Sequence, residues 1–232
     1  MLSFKFKNSY LPGFLLSMAW LLIAVAPYGC SRSPFDGLQE GKVIYDVTVE
    51  DGNSNAMMAA MAPSEAITYF GDNKTCTVMK MAMNMMEMRL ITDSKNYNHT
   101  VLFSGMGNKV ALKLDKEQVE KNFADRVELQ IRHTSETKEI AGVTCKQVII
   151  TDSTNHTYPV YYTDEISVNS PNWSSPFKEI DGLLMEFSVN IGGLVLNLKA
   201  KEIVNTKNEQ AFFEIPEGYK IIKDPSELNF KL

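Results

Sequence analysis

The stretch LLMEFSVNIGGLVLNLKAK, residues 183–201, shows the same pattern on both sides of a glycine pair. Before the glycines, every second residue from Leu183 to Val189 is apolar; after them, the same holds from Leu194 to Ala200. Such alternation is typical of a β-strand with one face in the core, and adjacent glycines favour a turn. The stretch therefore predicts a β-hairpin.

Alternation of period two recurs along most of the chain. It covers residues 43–49, 97–103, 110–114, 127–131 and 158–162. Turn-forming Gly, Asn and Asp residues separate these runs. Their half-polar faces favour antiparallel pairing, because parallel strands are buried on both sides. We predict a mainly β fold with a small α cover: a strongly bent antiparallel sheet, an incomplete barrel of about eleven strands.

Helical patterns are few. Residues 54–62 are rich in Ala and Met, and residues 115–124 begin with a candidate N-cap at Asp115. Residues 169–181 contain two prolines and Trp173, which indicates an irregular flap that gates a cavity or caps the core. We expect short lid helices over the sheet and, without a repeat or low-complexity linker, a single domain over residues 41–232.

The first thirty residues have the features of an export signal. Lys5 and Lys7 precede an apolar run over 14–26, which is shorter than the ~20 residues that span a bilayer. Gly29 then precedes Cys30, as at a lipoprotein cleavage site. We predict a lipoprotein signal peptide over 1–29, a lipidated cysteine and tether over 30–40, and membrane anchoring through Cys30. An ordinary cleaved signal and an uncleaved anchor are the alternatives.

Charge and cysteine content narrow the possible partners. The chain has 28 acidic and 23 basic residues without a basic patch, so nucleic acid is not an expected partner. Besides Cys30, an exported chain would have Cys76 and Cys145 available for a disulfide. Sequence does not show whether two sulfur atoms meet, and a buried reduced pair is the alternative.

Methionines are concentrated in residues 78–90. Met79, Met81, Met83 and Met85 share one strand phase, whereas Met86 and Met88 continue one residue out of phase. The change of phase predicts a turn or β-bulge between Met83 and Met86. Met57 and Met61 add to the set from the preceding predicted helix.

Three interpretations of these methionines remain open. Flexible, polarizable thioethers suit a surface for apolar ligands of variable shape, and we treat all eight residues as that candidate surface. Thioethers also bind Cu(I), although the three histidines are scattered along the chain. The third interpretation is an ordinary irregular core.

Sequence motifs for catalysis are lacking. The chain has no Gly-x-Ser-x-Gly, no His-Glu-x-x-His and no Cys-x-x-Cys. His99, His133 and His156 are interpreted as sheet-surface residues. We predict no enzyme activity, no cofactor, no metal site and no catalytic residue.

Several segments together resemble a known family. They are GKVIY (41–45), TYFGDNK (68–74), IAGVTCK (140–146), VYYTDEI (160–166) and EIDGLLMEF (179–187). This series resembles the uncharacterised Bacteroidetes lipoproteins of GLPGLI type, a domain of unknown function. That family is similar in architecture to the LolA and LolB lipoprotein carriers.

The resemblance implies an incomplete barrel around an apolar cavity, with helices as a lid, that binds or carries a lipid or lipoprotein. The resemblance assigns a catalytic role to no residue of this chain. Surface-exported relatives often have an acidic run after the cysteine, whereas Ser31-Arg32-Ser33-Pro34 follows here. We therefore expect an anchor in the outer (or inner) membrane that faces the periplasm.

The sequence thus predicts a membrane-anchored cell-envelope lipoprotein that binds or carries an apolar ligand, a lipid or acyl chain, in a half-barrel cavity. The alternative is a non-catalytic structural or interaction lipoprotein with a filled core. A methionine-rich copper(I)-binding periplasmic protein is the third hypothesis.

Overall fold

The computed structural model describes residues 33–50, 56–124, 129–153, 155–191 and 193–227. The predicted signal peptide and Cys30 lie outside these ranges. None of the helices in the described part of the chain is long and apolar enough to cross a bilayer.

Strands make up most of the described structure. They are β1 (Gly41–Val49), β2 (Glu65–Gly71), β3 (Lys74–Met81), β4 (Met86–Asp93), β5 (Asn98–Gly105), β6 (Asn108–Leu114), β7 (Gln130–Ile140), β8 (Val143–Thr151), β9 (Thr157–Thr163), β10 (Leu183–Ile191), β11 (Leu194–Val204) and β12 (Lys220–Ile222). The helices are α1 (Ala56–Met61) and α2 (Lys116–Ala124), with 3-10 turns at Gln210–Phe213 and Pro225–Glu227.

The described strands form one sheet in the order β12-β6-β5-β4-β3-β2-β1-β11-β10-β9-β8-β7. The sheet is strongly curved and does not close. Neighbours pair antiparallel except β12, which lies parallel to β6. The prediction of a mainly β, bent, antiparallel and incomplete barrel with small helices is confirmed.

The β10–β11 hairpin has the pairing that its sequence predicts. Ile191 lies opposite Leu194, and Phe187 lies opposite Leu198. Leu196 and Leu198 are buried and belong to the largest core cluster together with Val43 and Tyr45 of β1. This half of the sheet therefore contributes much of the largest buried cluster, although Tyr45 and Leu198 also border the cavity described below.

The opposite half of the sheet is covered on its convex face by the C-terminal segment. Cys76, Leu102 and Ala111 are fully buried there. Phe213, Ile215 and Tyr219 of the C-terminal segment pack on them. Beside this cluster the rings of Tyr69 and Phe212 stack with their centroids 4.0 Å apart. The segment then adds β12 to the edge of β6, which anchors the cover to the sheet.

The cysteines do not form the disulfide that was one of the two alternatives. Both are buried free thiols. Cys76 lies on β3 under the C-terminal cover, whereas Cys145 lies on β8 in the largest core cluster. Five strands (β2, β1, β11, β10 and β9) separate β3 from β8 in the sheet, so the two residues occupy different regions of the fold.

Two covering elements, helix α2 and the 169–182 loop, lie over the concave face. Helix α2 begins with a capping box, because the Gln118 amide donates to the Asp115 carboxylate and the Asp115 amide to the Gln118 side chain. Its Val119 packs on Leu112 and Leu114. The predicted flap is an irregular loop over residues 169–182, fixed where the Asn172 side chain donates to the carbonyls of Ile180 and Gly182.

Candidate ligand cavity

A cavity of about 1280 Å³ lies on the concave side of the sheet. Its volume exceeds the roughly 300–1,000 Å³ of ordinary small-molecule pockets. The sheet contributes Tyr45, Thr68, Thr75, Thr77, Met79, Met88, Leu90, Thr92, His99, Val101, Leu112, Leu114, Tyr158, Leu183, Leu184, Phe187, Ser188, Val189, Asn190, Ile191 and Leu198. The covering elements contribute Val119, Leu129, Pro171, Asn172, Ser174, Ser175, Pro176, Phe177, Pro225 and Ser226.

Strand alternation selects the residues that face this cavity. On β3, Thr75, Thr77 and Met79 line it, whereas the intervening Cys76 and Val78 pack under the C-terminal cover. Because successive side chains point to opposite faces of a sheet, a single strand supplies both surfaces. Leu90 and Val101, paired across β4 and β5, are only half-buried although both are apolar. The concave face of these strands is therefore incompletely filled by the chain itself.

The lining changes character along the strands. At one end Met79 pairs with Met88 across β3 and β4. At the other end Thr75 pairs with Thr92, and Thr92 in turn lies opposite His99. Along β3, β4 and β5 the cavity lining thus changes from an apolar end to a polar end.

At the polar end, side chains from the sheet and from the loop hydrogen-bond together. His99 Nδ1 lies 3.0 Å from Ser174 Oγ and 3.2 Å from Thr92 Oγ1. The two hydroxyl oxygens are themselves 3.2 Å apart. The loop is therefore tied to the sheet by an uncharged network that His99 shares.

Burial keeps His99 neutral. Desolvation lowers its pKa from the ordinary 6.5 to about 4, because a charged imidazolium would lose its hydration here. Among the described lining residues, none is Asp, Glu, Lys or Arg. Tyr45 donates its hydroxyl to the Leu184 carbonyl at 2.8 Å, and burial raises its pKa. At neutral pH the lining therefore carries no formal charge.

The structure brings only part of the predicted methionine surface into the cavity. Met79 and Met88 line it and are 2% and 4% exposed. Met81 and Met86 pair at the ends of their strands and are half-buried. These four residues follow the predicted strand phase and its change after the turn.

The prediction that Met83 and Met85 share the strand face of Met79 is wrong. Both lie in the turn between β3 and β4 and are 87% and 65% exposed. Ala82, Met83 and Asn84 all have positive φ there, so strand alternation ends at Met81, two residues before Met83. Met61 ends α1 and is 37% exposed, and the Met57 side chain lies outside the described residues. The methionine side chains that the structure describes therefore do not form a single cluster.

Sequence reasoning missed the polar end of the cavity. The sequence pattern predicts His99 as a sheet-surface residue, and the signal for the cavity is that His99 shares the strand phase of apolar Val101 and Phe103. Ser174 gave no such signal, because it lies in an irregular loop. The described residues contain no group of three or more His, Cys, Asp or Glu side chains that would hold a metal ion.

The chain matches no protein-family profile and no curated protein. The resemblance to Bacteroidetes lipoproteins and to the LolA and LolB carriers therefore stays a prediction.

Proposed function

We propose that this protein is a membrane-anchored cell-envelope lipoprotein that binds or carries a lipid or acyl chain in the concave-face cavity. The observation that carries the proposal is the cavity of about 1280 Å³, with an apolar floor formed by Met79, Met88, Leu90 and Val101. A protein with a filled core would have packed Leu90 and Val101 against its own cover, because apolar surface left open forgoes about 25 cal/mol per Å².

The anchor is a separate part of the proposal. Gly29 and Cys30 after an apolar run support lipid attachment at that cysteine. More than one acyl chain on Cys30 would give stable membrane association, since each buried methylene contributes ~0.8 kcal/mol. A carrier anchored in this way would take up its lipid ligand directly from the bilayer.

Binding is tested with the mature chain carrying Cys30→Ser, exported through a cleavable signal in place of residues 1–29. Organic extraction and mass spectrometry of the purified protein should release lipid. After delipidation, the uncharged fluorophore N-phenyl-naphthylamine should gain fluorescence on binding. Protein that carries no lipid and does not bind the fluorophore would contradict the proposal.

A pair of matched variants locates the binding. Leu90→Trp places an indole into the cavity and should weaken fluorophore binding, whereas Lys113→Trp places the same group on an exposed position of β6 and should not. Equal affinity in both variants would place the fluorophore elsewhere on the protein.

Anchoring is tested in cells by labelling with radioactive palmitate. The wild-type chain should take up label and sediment with membranes, and the Cys30→Ser chain should do neither. Labelled Cys30→Ser protein would show that another residue is acylated.

A further inference from the structure

The described cavity lining contains no charged side chain, and this restricts the head groups that a ligand can bury there. An ionised head group that entered the cavity would lose hydration and find no opposite charge among these residues. Threonine, serine and asparagine groups and a neutral imidazole are available instead. The lining therefore favours a ligand whose polar part carries no charge.

Four of these polar residues form one cluster, whereas Thr77, Ser188 and Asn190 line the cavity elsewhere. Thr75, Thr92, His99 and Ser174 lie together, and the Met79–Met88 pair lies four residues further along β3. At about 3.3 Å per residue this separation is roughly 13 Å. A molecule with a small polar head and a long apolar chain matches that division.

One ring nitrogen of His99 is available for a hydrogen bond to such a head group. Its Nδ1 is engaged by Ser174 and Thr92, whereas its Nε2 has no hydrogen-bond partner among the described residues. A neutral imidazole nitrogen donates or accepts one hydrogen bond, according to the tautomer. A hydroxyl or glycerol ester satisfies either requirement, since it contains both donors and acceptors.

We propose that the ligand is an uncharged acyl lipid, such as an acylglycerol, with its head at Thr92, His99 and Ser174 and its chain extending towards Met79 and Met88. This rests on the proposed function, because it specifies the ligand class for the same cavity.

The test displaces N-phenyl-naphthylamine from the delipidated Cys30→Ser protein with two ligands of equal chain length. Monopalmitoylglycerol is uncharged, whereas palmitate is ionised at about pH 8. Because burying an unpaired charge is costly, we expect monopalmitoylglycerol to compete at least about tenfold more strongly. Equal competition, or stronger competition by palmitate, would overturn the ligand class and leave the proposed function standing.

Two further outcomes are distinguishable. If the fluorophore binds and neither lipid displaces it, the acyl-lipid assignment is wrong while the apolar cavity remains. If the fluorophore does not bind and extraction of the purified protein releases no lipid, both proposals fail together.

Variants test the arrangement of head and chain. His99→Gln should weaken binding of monopalmitoylglycerol more than that of the fluorophore. Leu90→Arg adds a cation to the lining and should shift the preference towards palmitate, whereas the uncharged control Leu90→Gln should not. An unchanged preference in a Leu90→Arg protein with wild-type circular dichroism would contradict the electrostatic basis. The wild-type competition decides the ligand class if a variant does not fold.

Discussion

Strand alternation divides the side chains of β3 to β6 between two faces, and these faces differ in how completely they are packed. On the convex face, Leu102 and Ala111 are fully buried under the C-terminal segment. On the concave face, Leu90 and Val101 are half-buried against a cavity of about 1280 Å³. Alternation therefore determines to which side a residue points, whereas the chain that returns over that side determines whether it is packed.

The largest difference between the faces should appear in core truncations. Leu102→Ala should lower the free energy of unfolding by about 3 kcal/mol, because it leaves a void in a packed cluster. Val101→Ala, one residue earlier on β5, should cost less than about 1 kcal/mol, because it only widens an existing cavity. Urea denaturation of both variants measures the difference. Equal losses would mean that the concave face is packed in solution.

The concave face should also be the more sensitive to acid. The folded-state pKa of His99 is about 4, below its ordinary 6.5, so the unfolded chain takes up a proton first as the pH falls. The contribution of His99 to the free energy of unfolding should fall between about pH 6.5 and pH 4, by up to about 3 kcal/mol, and stay constant outside that window.

The control for this pH dependence is His99→Gln, which lacks the titrating group. Urea denaturation of both proteins at about pH 7 and about pH 4.5 cancels the carboxylates that they share. The wild-type protein should lose more stability than the variant on acidification. Parallel losses would show that His99 is hydrated in the folded protein.

The convex face should show direct coupling between the sheet and its cover. The stacked rings of Tyr69 and Phe212 lie 4.0 Å apart. A double-mutant cycle with Tyr69→Leu and Phe212→Leu should give a coupling energy of about 1 kcal/mol. A coupling near zero would indicate that the C-terminal segment lies on the sheet without specific contact.

The smallest effect on stability is expected from oxidation of the exposed methionines. Met83, Met85 and Met106 are 87%, 65% and 85% exposed, so dilute peroxide should convert them to sulfoxides first. Met79 and Met88, which face the cavity, should react more slowly. Peptide mass spectrometry follows each site, and the melting temperature should hardly change while only the exposed group is oxidised. Early oxidation of Met79 would show that the cavity is open to solvent-borne oxidant.

Most of the sheet could be predicted because its strands have one apolar face. The regions of β1, β5, β6, β9, β10 and β11 all follow from alternation. Strand β7 extends to Ile140, well past the predicted run, through mostly exposed polar residues that form a strand because β8 lies beside them. Strand β12 has only three residues, too few for a periodic pattern.

The site was predictable only in part. Met79 and Met88 face the cavity because the strand phase places them there. Met83 and Met85 do not, because backbone geometry in the turn interrupts that phase. Ser174 reaches His99 across 75 residues of sequence, a contact for which no local pattern exists.

By itself, the sequence determined the class of fold and the side to which most strand residues point, because both depend on neighbours two residues apart. Only the tertiary structure decided which side is sealed, that Cys76 and Cys145 stay apart, and that Thr92, His99 and Ser174 meet. These outcomes depend on the curvature of the sheet and on where the C-terminal segment and the 169–182 loop return to it. Long-range packing determines where these segments cover the sheet, and the alternation within a single strand does not predict it.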